Sequence, residues 1–137
     1  MSRKIGILVA VLTMLAITVS LVAATSNAHF VGTPKFTVSG NTVTASGKVA
    51  GLGQVEVITV TVSGDAQCVN PGSKKPAADN KDEFSATADV PVQNGKANFS
   101  VLLTATFQPT CTGPMTIEWS NLSITVTAID GTFLTYP

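Results

Sequence analysis

Apolar and polar residues alternate along most of the chain after residue 40, as they do in strands with one buried face. No segment in this part of the sequence has the period of an amphipathic helix. The pattern predicts about seven or eight short antiparallel strands, separated by turn residues at the spacing of a β-sandwich. The alternating apolar positions are Val43, Ala45 and Val49; Ile58, Val60 and Val62; Phe84, Ala86, Ala88, Val90 and Val92; Phe99, Val101, Leu103, Ala105 and Phe107; Met115, Ile117 and Trp119; and Leu122, Ile124, Val126 and Ala128.

Two breaks in the alternation predict irregular positions. The valines before Ile58 are out of phase with the residues that follow, so we expect a β-bulge near residues 56–58. The phase changes again before Leu122, which predicts a turn or bulge at Ser120-Asn121.

Three sites carry turn or edge signals. Asn94-Gly95 and Asp130-Gly131 are typical hairpin turns, because these residue types accept positive φ angles. Pro91 lacks a backbone donor, which predicts that its strand lies at the edge of a sheet.

The N-terminal part of the sequence has the pattern of an export signal. Residues 3–4 are basic, residues 5–24 are almost entirely apolar, and Ser26 and Ala28 are small residues at the two positions that signal peptidase selects. We therefore expect a hydrophobic signal helix that is cleaved after Ala28. The alternative is a retained membrane anchor, because the apolar run is long enough to span a bilayer. No cysteine lies at this site, which excludes lipid attachment of the bacterial lipoprotein type.

Cleavage there divides the sequence into a signal peptide, residues 1–28, and one domain, residues 29–137. Apolar residues make up 45% of the chain and charged residues only 12%, which is too apolar for a disordered protein. The predicted domain has six lysines and eight acidic residues. This weakly negative balance favours neither nucleic-acid binding nor attraction to an anionic membrane. We expect no membrane contact after cleavage.

Cys68 and Cys111 are the two cysteines, and in an exported chain they form a disulfide by default. Each follows a predicted strand, one after Val62 and the other after Phe107, so a bridge would join two loops at one end of the sandwich. The alternative is a redox pair, but such pairs usually have only two residues between the cysteines.

Six charged side chains lie within residues 70–83, for which we expect a solvated connection of low order. The alternatives are a recognition loop or a weak calcium site formed by Asp79, Asn80, Asp82 and Glu83. These residues do not follow the alternating pattern of a calcium-binding loop, and lysines stand among them.

His29 is the only histidine, and cleavage after Ala28 would make it the first residue. A free α-amine and an imidazole on one residue can chelate copper(II). This start resembles that of mature periplasmic copper carriers and of copper-dependent polysaccharide monooxygenases, which implies an extracytoplasmic copper-binding protein. Both families use a second histidine, which this sequence lacks. The alternative is an incidental histidine at the processing site.

The remaining candidates are single residues. Trp119 is interpreted as a core residue, and the low aromatic content disfavours the alternative of a sugar-stacking platform. A hydrolytic triad lacks a well-placed histidine, so carboxylates such as Glu118 and Asp65 are the remaining catalytic candidates. Asn98 and Asn121 begin N-glycosylation motifs. We expect no catalysis, no metal and no cofactor.

Three segments of the sequence carry a resemblance to known proteins. They are Gly32-Thr33-Pro34, residues 47–53 (GKVAGLG) and residues 68–72 (CVNPG). These segments resemble a group of small secreted bacterial proteins that have no assigned activity. The resemblance implies secretion and a sandwich fold, and carries over no functional residues. The domain is also similar to immunoglobulin domains, although Trp119 follows both cysteines instead of standing between them.

Together these patterns predict an all-β, immunoglobulin-like antiparallel sandwich, secreted or held at the cell surface. We expect a binding or structural module with an unknown extracellular partner. Its working surface would be residues 67–83 and 108–114, because loops on a rigid sandwich commonly carry recognition.

Overall fold

A computed structural model describes residues 27–71 and 76–137, and for residues 76–80 the backbone alone. The predicted signal helix lies outside the described residues. The described part of the chain contains no helix, and hence none that could cross a membrane. Its eight strands are β1 (His29–Phe30), β2 (Lys35–Ser39), β3 (Thr42–Ala50), β4 (Val57–Val69), β5 (Pro76–Pro91), β6 (Ala97–Thr104), β7 (Thr116–Ala128) and β8 (Phe133–Tyr136).

The strands form two antiparallel sheets, as an all-β sandwich requires. In sheet A, β3 is central: β1 and β2 follow each other along one of its edges, and β6 pairs with the other. In sheet B the strand order is β5-β4-β7-β8. The chain crosses between sheets after β3, β5 and β6, so each sheet contains strands from both halves of the domain.

The core lies between the sheets and is formed by the alternating apolar positions of β3, β4, β6 and β7. Ile58, Leu103 and Ile124 are among its largest fully buried side chains. Each such side chain contributes about 1.5–3 kcal/mol through removal of its surface from water. A smaller cluster of Ala66 and Phe107, with Ala105, lies beside the disulfide.

One predicted phase break is confirmed and the other is wrong. β4 and β7 change register between Ser63 and Asp65, where two β7 residues stand opposite one β4 residue. Asn121 is at this bulge and has a φ of 53°. No bulge is present at residues 56–58, because β4 begins only at Val57 and the preceding residues form a loop.

Strand β4 is longer than the apolar pattern predicts. It continues through Gly64, Ala66 and Cys68, which keep the same inward phase and are buried. Cys68 therefore lies within a strand, and its expected place in a loop after Val62 is wrong. Small residues suffice there because Leu122 and Trp119 on β7 cover Gly64.

Much of the expected loop at residues 70–83 is also strand. β5 begins at Pro76 and pairs with β4 from Val69 onward. The sequence of its N-terminal part has no apolar alternation, so the pairing of its backbone with β4 does not follow from an apolar pattern. β5 is an edge strand of sheet B, which confirms the prediction from Pro91.

Both predicted turns are present, but only the second joins two strands that pair with each other, as a hairpin requires. Asn94 and Gly95 have φ angles of 53° and 73°, and the flanking Gln93 and Lys96 exchange two backbone hydrogen bonds. This tight turn carries the chain from sheet B to sheet A. Residues 129–132 connect β7 to β8, as the second turn signal predicts.

Candidate functional site

The disulfide between Cys68 and Cys111 is present, as predicted, and its Cα atoms are 5.8 Å apart. Cys68 is fully buried in β4, whereas Cys111 lies in the connection between β6 and β7. The bridge therefore fastens a surface connection to a central strand of sheet B. It does not join two loops.

An open groove of about 680 Å³ lies beside this bridge, at one end of the sandwich. One side is the turn between β2 and β3, and the other is the connection at residues 105–115 together with the first residues of β7. Residues 108–114, predicted as a recognition loop, thus contribute to the groove.

Hydrogen bonds hold the two sides of the groove in place. The amide of Ala105 donates to the carbonyl of Asn41 at 2.8 Å, and the Asn41 side chain donates back to the Ala105 carbonyl at 3.4 Å. The indole Nε1 of Trp119 donates to the Gly40 carbonyl at 3.1 Å. Sulfur atoms of Met115 and Cys68 are in contact at 3.6 Å. These contacts join the β2–β3 turn to the start of the β6–β7 connection, and they join the end of that connection to Cys68 in β4.

None of the eleven residues that line the groove is charged. Its larger apolar lining residues are Phe107, Met115 and Ile117, and its polar side chains carry amides and hydroxyls. Such a site can bury apolar groups and exchange hydrogen bonds, but it offers no partner for a buried charge. The polar lining residues are Asn41, Thr106, Gln108, Thr110 and Thr116.

Trp119 packs as the sequence predicts. Its side chain is half-buried, contacts both apolar clusters and meets Phe84 with ring centroids 6.2 Å apart. Its indole N–H donates to the Gly40 carbonyl and thereby links β7 to the turn between β2 and β3.

Two pairs of carboxylates were candidates for chemistry: one lies on sheet B and the other near the start of β4. Glu118 and Asp65 lie on adjacent strands of sheet B, in diagonal register, and neither lines the groove beside the disulfide. Glu56 and Asp89 line a shallow groove near the start of β4, and the Thr59 hydroxyl donates to Asp89 at 2.9 Å. Both carboxylates are exposed.

No group of three or more histidine, cysteine or acidic residues is placed to hold an ion in the part of the chain that the structure describes. His29 is exposed on β1, and its Nδ1 lies 2.8 Å from the Asn27 carbonyl. For the calcium alternative, Asp82 accepts a hydrogen bond from the amide of Glu83, whereas the side chains of Asp79 and Asn80 lie outside the described residues.

Two further surface features involve single residues. The glycosylation motifs place Asn98 and Asn121 at exposed positions, although the Asn121 amide already donates to Asp65 at 2.8 Å. Use of the glycosylation motifs stays a prediction.

In the turn after β7, the hydroxyl and then the amide of Thr132 lower the pKa of the Asp130 carboxyl by donating hydrogen bonds to it.

Comparisons of the chain with models of protein families, with curated proteins and with solved structures find no match.

Sequence reasoning placed the disulfide and residues 108–114 at one end of the domain, and the structure brings them together. The sequence does not predict the part of the groove formed by Gly40 and Asn41. A turn signal was visible at these residues, but nothing in the sequence indicates that this turn reaches the β6–β7 connection.

Proposed function

We propose that the protein is an exported, non-catalytic binding module that recognises an uncharged, partly apolar peptide segment in the groove beside the disulfide. The observation that carries this proposal is the combination of an apolar groove surface with amide and hydroxyl groups and no charge. Protein recognition sites commonly join a desolvated apolar area to a few oriented polar groups.

The choice of a peptide over a carbohydrate follows from the aromatic residues. Sugar sites use exposed rings for stacking. Phe107 is only 9% exposed, and Trp119 is held by its contacts with Gly40 and Phe84. An extended peptide, by contrast, can exchange backbone hydrogen bonds with Asn41 and Gln108 while its side chains cover Met115.

Export is supported by the leader pattern and by the disulfide, because such bridges persist in oxidising compartments. The absence of a buried carboxylate or histidine from the described groove supports a role in binding, not catalysis.

We also infer that the sandwich is immunoglobulin-like. Immunoglobulin constant domains have strands A, B, E and D in one sheet and C, F and G in the other. Here β2, β3 and β6 take the places of A, B and E, and β4, β7 and β8 take those of C, F and G. In the constant domain, strand D pairs with strand E. Strand β5 follows β4 in the chain as D follows C, but it pairs with β4 instead of β6, which is a departure from the constant-domain order.

Charge placed in the groove tests the binding proposal. A peptide library displayed on phage is selected against the disulfide-bonded domain, and the affinities of the selected peptides are measured for the Thr110→Glu and Thr104→Glu variants. Thr110 lines the groove, whereas Thr104 is exposed on the outer face of sheet A. We expect mainly uncharged peptides, whose affinity falls at least about tenfold with Thr110→Glu because a desolvated charge lacks a partner.

The control Thr104→Glu should leave those affinities unchanged. Selected peptides that are predominantly charged, or that bind both variants equally well, would show that the groove is not the binding site.

A further inference from the structure

Residues 27 and 28 belong structurally to the domain. The carbonyl of Asn27 lies directly over the Cα of Gly51, so that a Cβ added at Gly51 would overlap it. Ala28 is half-buried and packs against the main core cluster. Strand β1 continues from these residues, with His29 paired to Ala50.

Neighbouring contacts extend this attachment into the core. Phe30 meets the ring of Phe99 at a centroid distance of 6.4 Å and that of Tyr136 at 6.2 Å. The amide of Val31 donates to the Lys48 carbonyl at 2.8 Å. The N-terminal segment is thus fastened along the edge of β3 from Asn27 onward, not only from His29.

Cleavage after Ala28 would remove part of this structure. The methyl group of Ala28 would leave the apolar surface that it covers, and the Asn27 carbonyl would no longer be available to the His29 imidazole.

We infer that the export signal is removed on the N-terminal side of Asn27, so that the mature protein keeps Asn27 and Ala28. The bond after Ala24 suits the enzyme class that cuts after small residues, because Val22-Ala23-Ala24 supplies a compact side chain at each required position. Thr25 then becomes the first residue. This inference rests on the proposed export, and it moves the expected boundary upstream from Ala28.

The same inference decides against the copper alternative. Chelation by a terminal histidine requires the α-amine and the imidazole on one residue. With Asn27 and Ala28 retained, the His29 nitrogen is an amide within β1 and that pair of ligands cannot form.

The direct test is the N-terminus of the exported protein. The full chain with its own leader is produced in a bacterial host, and the exported fraction is analysed by intact mass and N-terminal peptide mass spectrometry. A mature chain that begins at Asn27 or earlier, with Thr25 expected, supports the inference. A chain that begins at Ala28 or later overturns it, and so does an uncut chain. Each of these results leaves peptide binding at the groove to be judged separately.

A second test measures whether Asn27 contacts Gly51 in the folded domain. Gly51→Ala is made in two disulfide-bonded chains, one starting at Thr25 and the other at His29, and thermal unfolding is compared. Gly53→Ala is the matched control, because Gly53 also has a positive φ, 58° against 75° for Gly51, but no atom lies within 4 Å of its added Cβ.

We expect Gly51→Ala to lower the Tm by several degrees more in the longer chain, where the Asn27 carbonyl is displaced. Gly53→Ala should lower the Tm equally in both chains. An equal effect of Gly51→Ala in the two chains would show that Asn27 is not packed there and would overturn the inference.

Discussion

The disulfide gives the clearest quantitative prediction, because both its chain separation and its surroundings are defined. Cys68 and Cys111 are 43 residues apart. In the chain-entropy description, removing a cross-link of this length costs about 4 kcal/mol, since the unfolded chain regains the freedom that the bridge denies it. That is a large share of the total stability of a small domain.

The perturbation is the double variant Cys68→Ala with Cys111→Ala, measured by urea unfolding. Alanine is preferred to serine because Cys68 is fully buried and a hydroxyl there would lack a partner. We expect the free energy of unfolding to fall by about 4 kcal/mol and the Tm to fall by roughly 15–25 °C. The m-value should rise, because the unfolded chain without the bridge exposes more surface.

Reduced wild-type protein is the control, since it loses the bridge but keeps both sulfur atoms. Agreement between the reduced protein and the double variant would assign the loss to the cross-link instead of to packing around Cys68. A loss smaller than about 1 kcal/mol in both would refute the reasoning, because it would mean that the bridge does not restrict the unfolded chain as its length implies.

Two further predictions concern close packing and pH. Gly47→Ala should lower the free energy of unfolding by about 1–3 kcal/mol, because the added Cβ would lie 2.7 Å from Cζ of the buried Phe99 ring. Urea unfolding measures this loss. The control Ser100→Ala, on the exposed face of β6, should change the free energy of unfolding little. Hydrogen bonds from Thr132 lower the pKa of Asp130 in the folded state, so this carboxylate stabilises the fold above its unfolded pKa and loses that effect as pH falls through the lowered value. A Tm series across acidic pH should therefore show a smaller decline for Asp130→Asn than for the wild type, and identical curves would contradict the assignment.

The sequence predicts those parts of the fold in which alternate residues face the core. The strands around Val60, Leu103 and Val126 follow from alternation alone, since one buried face requires it. The bulge at Asn121 is visible in the same way, because the inward phase changes there and the structure shows the extra residue in β7.

The parts that were missed are those where burial is not the deciding force. Gly64 and Ala66 continue the inward phase of β4, but a glycine and an alanine do not form a recognisable core pattern in the sequence. The first half of β5 has no apolar face and takes its conformation from backbone pairing with β4. The groove depends on the approach of Asn41 to Ala105, residues that are 64 positions apart, and a local pattern contains no information about such contacts.

Because Cys68 lies inside a strand, the disulfide attaches the β6–β7 connection directly to sheet B. A bridge between two loops would restrain each loop only relative to another mobile segment. Here one end of the bridge is in β4, whose neighbours on both sides are paired strands, so Cys111 is held relative to the core itself. The Asn41–Ala105 hydrogen bonds fix the start of the same connection against sheet A. The wall of the groove is thereby attached to both sheets, and this attachment makes a preformed binding site possible on a connection of about ten residues without secondary structure of its own.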